Sequence, residues 1–159
     1  MVHKDKIITE LEFSHEGVFD FKEFLHMIKS FFSRYNYDFD EKVYESKNKG
    51  DLKTTRFKWA FDRKLDDYNK AVVKLGIGLE DYKEGYSDGI KIVDGKLKVK
   101  FDAEVERDYN EDWKKQPTKK FIRAVFDKYV SAHKQKKVDD SVKDLVENLR
   151  REIKQYFKA

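Results

Sequence analysis

The chain has 159 residues, 39% of them hydrophobic and 42% charged, with 35 Lys and Arg against 31 Asp and Glu for a formal net charge of +4. That length fits a single domain over residues 1–159, and 13 Phe, 9 Tyr and 2 Trp exclude a disordered chain, whose composition is poor in such rings. The absence of cysteine excludes disulfide scaffolds, thiol catalysis and cysteine-ligated zinc, and no apolar run approaches the roughly 20 residues of a membrane span.

Lys6 to Phe13 reads KIITELEF, a period of two that places Ile7, Thr9, Leu11 and Phe13 on one face of a strand and Ile8, Glu10 and Glu12 on the other. Beyond Gly17 the period changes. Phe21, Phe24, Leu25, Ile28, Phe31, Phe32 and Tyr35 recur at three and four, which predicts a helix, with Asp20 as N-cap, Glu23 three residues later and His26 bordering the core. The polar cluster Asn36 to Asp40 is expected to end it.

Val43 to Leu65 is strand-like, with Phe57, Trp59 and Phe61 opposite Arg56, Lys58 and Asp62. Asp66-Asp67-Tyr68-Asn69 supplies a turn, and the next strand alternates Val73, Leu75, Ile77 and Leu79 with Lys74, Gly76, Gly78 and Glu80. Gly76 and Gly78 remove two side chains from mid-strand, which marks a bulge, a docked helix or a groove for a ligand or partner. A polar loop through Gly85 and Gly89 is expected to close the strand, and Asp94-Gly95 reads as a hairpin turn. Beyond it Leu97, Val99, Phe101, Ala103 and Val105 face one way, while Lys96, Lys98, Lys100, Asp102, Glu104 and Glu106 face the other.

Pro117 opens a helix with Phe121, Ile122, Val125, Phe126, Tyr129 and Val130 on its apolar face. Ser141 opens a second amphipathic run through Val142, Leu145, Val146, Leu149, Ile153 and Tyr156, with Glu147 and Arg151 spaced for an i,i+4 pair. The order β-α-β-β-β-β-α-α predicts an α+β domain, an antiparallel sheet of about five strands with helices packed on one face.

The near-neutral total hides a polarised charge map. Trp113 to Lys137 carries nine Lys and Arg against the single Asp127, a local +8 that leaves −4 for the rest of the chain, and Asp102 to Asp112 just before it carries six acids and only Arg107. Lys114, Lys115, Lys119, Lys120, Arg123 and Lys134 are the candidate residues for binding a polyanion such as nucleic acid, since such a stripe neutralises phosphates. The competing readings are a solvated or acid-packed surface, an anionic membrane or an acidic protein partner. Tyr37, Tyr44, Tyr68, Tyr82, Tyr86 and Tyr109 stand at element ends or in loops, where exposed rings would stack on bases.

No catalytic residue, cofactor or metal site is expected. His3, His15, His26 and His133 are scattered, the GIGLED string lacks the rest of a phosphate-loop fingerprint, and the Asp102, Glu104 and Glu106 face reads as cross-strand ion pairs with lysines such as Lys58, Lys74 and Lys100. The start, Met1 to Lys6, has no apolar signal core, so a cytoplasmic location is expected, and abundant Lys and Glu with little Met and Pro would suit growth at high temperature.

Through Tyr109-Asn110-x-x-Trp113, Pro117, the aromatic helix Phe121 to Tyr129, and Trp59 and Asp66-Asp67-Tyr68 upstream, the chain resembles small uncharacterised archaeal α+β proteins. That resemblance implies no activity. The succession of strand, helix, meander and C-terminal helix is also similar to helix-grip (START-like) domains, with fewer strands and a second terminal helix as departures. That similarity implies a cavity for a small apolar ligand between sheet and helices, lined by Phe57, Trp59, Phe61, Phe101, Phe121 and Phe126. The expectation is therefore a non-enzymatic binding domain, directed at a polyanion through its basic segment or at an apolar ligand through a cavity.

Overall fold

Among the described residues, two periodicities in the sequence become five strands and two helices. The computed structural model describes residues 3–107 and 131–158, with β1 (His3–Phe19), α1 (Phe21–Arg34), β2 (Asp38–Lys49), β3 (Leu52–Lys64), β4 (Asn69–Ser87), β5 (Ile90–Arg107) and α2 (Ser131–Lys158). Every pairing is antiparallel and the sheet order is β1-β5-β4-β3-β2. This is the α+β fold expected from the sequence.

Because β1 and β2 occupy opposite edges, α1 carries the chain across the whole sheet. Its 14 residues, at about 1.5 Å each, span about 21 Å, close to four inter-strand gaps of about 4.8 Å. The Asp20 carboxylate accepts the Glu23 backbone N–H at 3.0 Å, as the capping pattern predicts. At the other end Asn36 adopts φ 63°, and the Tyr37 and Asn36 N–H groups donate to the carbonyls of Phe32 and Ser33, a left-handed cap that asparagine tolerates well.

The core lies on one face of the sheet. Leu97, Val99, Phe101, Ala103 and Val105 of β5 and Ala71, Val73, Leu75, Ile77 and Leu79 of β4 are all buried, together with Trp59 and Phe61 of β3. Phe24, Ile28, Phe31 and Phe32 of α1 and Val142, Leu145, Val146, Leu149 and Ile153 of α2 cover them in one cluster. Arg107 ties the end of β5 to α2 through Gln135 at 2.8 Å and Asp139 at 3.0 Å, and also pairs with Asp5 of β1.

Five local expectations are corrected. In β1, register shifts between Lys6 and Ile8 and between Ile8 and Leu11 put both Ile7 and Ile8 against the core and leave Thr9 exposed, with Glu10 at φ 58°; a bulge adds a residue and breaks strict alternation. The hairpin falls at Asp88-Gly89, whose φ values of 51° and 79° suit a type I′ turn. Asp94-Gly95 instead lies inside β5, because a turn there would fold Ile90 to Val93 away from the partners they find in Glu84 to Ser87. Ser141 opens no helix: it lies within α2, which is described from Ser131 onward, and its hydroxyl donates back to the Val138 carbonyl at 2.7 Å. Arg151 reaches Asn148 at 3.1 Å and Arg150 reaches Glu147 at 4.0 Å, in place of the Glu147–Arg151 pair. His26 is exposed, since two residues on from Phe24 a helix has turned about 200° away from the core.

Candidate functional site

The charged skin opens onto an apolar pocket where the first turns of α1 overhang the hairpin ends of the sheet. A pocket of about 450 Å³ lies there. Its walls begin with Phe21 and Leu25, delivered by the helical stripe, and continue through Phe57 of β3, whose ring is 6.0 Å from Phe21 and 5.1 Å from Tyr44. Val93 and Ile90 complete the apolar side. Tyr44 is 60% exposed and Ile90 55% exposed, so two large apolar side chains stand in water at the mouth.

The polar side comes from alternate positions of β3 and β4. A register shift between Glu80 and Lys83, with Asp81 at φ 49°, turns Tyr82 inward, where its hydroxyl bonds that of Thr55 at 2.8 Å. The Ser46 hydroxyl follows at 3.4 Å from that of Thr55. Glu84 is held by Lys91 at 3.1 Å and Lys53 at 3.3 Å, and the hydrogen bond from Lys91 keeps its carboxyl below the usual carboxylate range. The arrangement offers a hydroxyl pair and an ion cluster with one cation in excess beside an apolar wall, which suits a small ligand with one polar end.

The opposite face of the sheet carries the glycines. Gly78 is paired with Arg56 and Lys98, and Gly76 with Lys58 and Lys100, so each glycine lies between two cations in the ladder. These residues line a groove of about 560 Å³. Glu80 lies 3.6 Å from Arg56 and 3.8 Å from Lys98, and Glu12 lies 3.7 Å from Lys100, so acids offset most of the cations. Among the described residues no helix docks over the two glycines.

Of the six basic residues singled out in the sequence, Lys114, Lys115, Lys119, Lys120 and Arg123 lie outside the described residues, as does the helix expected to open at Pro117. Lys134 is exposed on α2, and its positive charge favours the Asp66 carboxylate in the β3–β4 turn. Asp102, Glu104 and Glu106 point to the outer face, where Lys74 pairs with Glu104 at 3.2 Å and Lys4 with Glu106 at 3.8 Å, the cross-strand pairing anticipated. His26 sits on α1 over the inner face, so the structure does not bring it together with Asp102 and Glu104. His15 stacks on Phe157 at 4.0 Å. Among the described residues no group of His, Asp and Glu is placed to hold a metal ion, and no helix is long and apolar enough to cross a membrane.

Of the six aromatic residues that could line a cavity or fill the core, Trp59, Phe61 and Phe101 are buried in the core, Phe121 and Phe126 lie outside the described residues, and Phe57 lines the pocket. Of the six tyrosines placed at element ends or in loops, Tyr44 and Tyr86 are exposed, Tyr37 is half-buried, Tyr68 and Tyr82 are buried, and Tyr109 lies outside the described residues. Thr55, Glu84 and Lys91 were missed as site residues, since only the β4 register shift and the true hairpin position bring them under α1. No family model, curated protein or solved structure matches this chain.

Proposed function

We propose that this is a cytoplasmic, non-enzymatic domain that binds a small, largely apolar ligand in the pocket beneath the start of α1. The observation that carries the reading is the exposed pair Tyr44 and Ile90 at the mouth of a pocket of about 450 Å³, a size within the range of small-molecule sites. Elsewhere the surface of this 42% charged chain is dominated by Lys, Asp and Glu. The strand order, with a long C-terminal helix laid over β1 and β5, supports the comparison with helix-grip domains. Phe21, Leu25 and Phe57 would receive the apolar body, and the Thr55 and Tyr82 hydroxyls a single polar group.

The test is a fluorescence titration with 1-anilinonaphthalene-8-sulfonate. Saturable binding at one site is expected, weakened at least tenfold in the double variant Tyr44→Glu, Ile90→Glu, whose exposed positions leave the fold intact by circular dichroism. Absence of saturable binding, or equal binding by the variant, overturns the reading.

A second reading, contact with a polyanion such as nucleic acid, rests on the +8 carried by Trp113 to Lys137. It predicts that Lys119→Glu, Lys120→Glu, Arg123→Glu abolishes salt-sensitive retention of DNA at about 50 mM salt. No retention of the unaltered protein there would sink it.

A further inference from the structure

β2 is an edge strand whose free side, among the described residues, pairs with nothing. It runs for 12 residues, DFDEKVYESKNK, and all of them but the half-buried Val43 are exposed. A long exposed edge of this kind is a template for another strand unless its side chains forbid it. Net charge differs along the strand: Asp38, Asp40 and Glu41 outweigh Lys42 in the first half, and Lys47 and Lys49 outweigh Glu45 in the second.

We infer that β2 pairs antiparallel with β2 of a second copy of this chain, about a two-fold axis through Tyr44. The register follows from which face each residue occupies. Pairing with β3 places Phe39, Glu41, Tyr44, Ser46 and Asn48 on the core side and Asp38, Asp40, Val43, Glu45, Lys47 and Lys49 on the outer side, with the change of parity at the irregularity between Glu41 and Val43. Opposed residues in a ladder must share a face. With Tyr44 opposite itself and the same irregularity carried into the new ladder, Glu41 meets Ser46, Asp40 meets Lys47, Phe39 meets Asn48 and Asp38 meets Lys49, every pair matched in face. Two-fold symmetry repeats each charge pair, so four opposite-sign pairs form and no directly opposed residues are of like sign; Val43 meets Glu45, which leaves the two Glu45 side chains as diagonal neighbours on the outer face. In the single chain Asp40 lies 2.5 Å from Lys42 on an exposed surface, a pair that pairing would exchange for Lys47 of the second copy. The result is one continuous ten-stranded sheet, with Tyr44, 60% exposed, covered at its centre. A two-fold contact of this kind is self-complementary.

Sedimentation of the full chain at about 0.5 mM is expected to show a dimer near 50 mM salt whose dissociation constant rises at least tenfold near 500 mM, because the charge pairs are exposed and screened. Lys47→Glu, Lys49→Glu and, separately, Asp38→Lys, Asp40→Lys are each expected to be monomeric, and an equimolar mixture of the two variants to form the heterodimer. Tyr44→Cys, in a chain with no other cysteine, is expected to crosslink to itself under oxidant, since residues opposed at a two-fold lie within disulfide reach, whereas Asn48→Cys is not. A wild-type protein monomeric at low salt, charge variants that still dimerise alone, or a Tyr44→Cys variant that stays uncrosslinked overturns the inference.

Discussion

Phe32 of α1 and Phe61 of β3 stack face to face, their ring centroids 3.9 Å apart and their planes within 10°, and both are 1% exposed. This contact sets how closely the crossover helix approaches the sheet. Truncating a fully buried ring removes its transfer energy and leaves a cavity, so Phe32→Ala is expected to cost about 3–5 kcal/mol in urea denaturation. Phe32→Leu keeps most of the volume and should cost less than about 2 kcal/mol. Equal losses for the two would mean that volume at this position does not matter.

Gly95 marks a second close approach. A Cβ there would lie 2.5 Å from the Cβ of Tyr82, 2.9 Å from its Cα and 3.0 Å from the Glu80 carbonyl. Two of those atoms are backbone, so the strand itself would have to move. Gly95→Ala is expected to destabilise by about 1–3 kcal/mol and, by displacing Tyr82 from Thr55, to weaken the probe at the pocket. Gly76→Ala meets nothing nearer than Lys100 Cβ at 3.8 Å, and removing a mid-strand glycine there should stabilise by about 0.5–1 kcal/mol. Paired thermal melts check both signs.

These two glycines also show where sequence reading stopped. The apolar faces of α1, β4, β5 and the later part of α2 were legible because each buries one face against a common core, and burial writes its period into the residues. Asp94-Gly95 and Asp88-Gly89 carry the same local turn signal; what separates them is how much of β5 each leaves paired, a long-range sum that no pair of residues displays. The irregularities at Thr9 and at Tyr82 are invisible for a similar reason, since an extra residue is known only against its partner strand. The pocket depends on the second of these, so Phe21 and Leu25 were seen as helix face while Thr55, Glu84 and Lys91 were not seen as its lining.

Asp66 offers a test in acid. Burial pushes its carboxyl up, but the backbone and side chain of Asn69 and the N–H of Tyr68 hydrogen-bond the carboxylate, Lys134 adds its charge, and together they bring it below its ordinary 3.8. A group whose folded value is depressed contributes stability that is fully present above 3.8 and lost as pH falls through the lower folded value. Asp66→Asn keeps an acceptor for the turn but removes the charge. Its stability is expected to fall below that of the wild type at neutral pH, and the difference to shrink below pH 3.8. A gap that stays constant with pH would show that the turn does not need the charge.

The alkaline limb has the opposite sign. Burial raises Tyr37 and Tyr156 from 10.0 to about 12, with Arg63 partly opposing it at Tyr37 and Glu23 and Asp20 reinforcing it at Tyr156. The stability linked to these neutral phenols is therefore fully present below pH 10.0 and disappears as pH rises through about 12. Tyrosinate absorbance followed against pH is expected to show these two residues ionising near pH 12. The two are distinguishable at neutral pH. Tyr156 donates its hydroxyl to the Asp20 carbonyl at 3.1 Å, so Tyr156→Phe should lose about 1 kcal/mol there. Tyr37→Phe should instead leave neutral stability nearly unchanged and flatten the alkaline loss. If Tyr37→Phe unfolds at the same high pH as the wild type, with the same steepness, the Tyr37 phenol carries none of the alkaline transition.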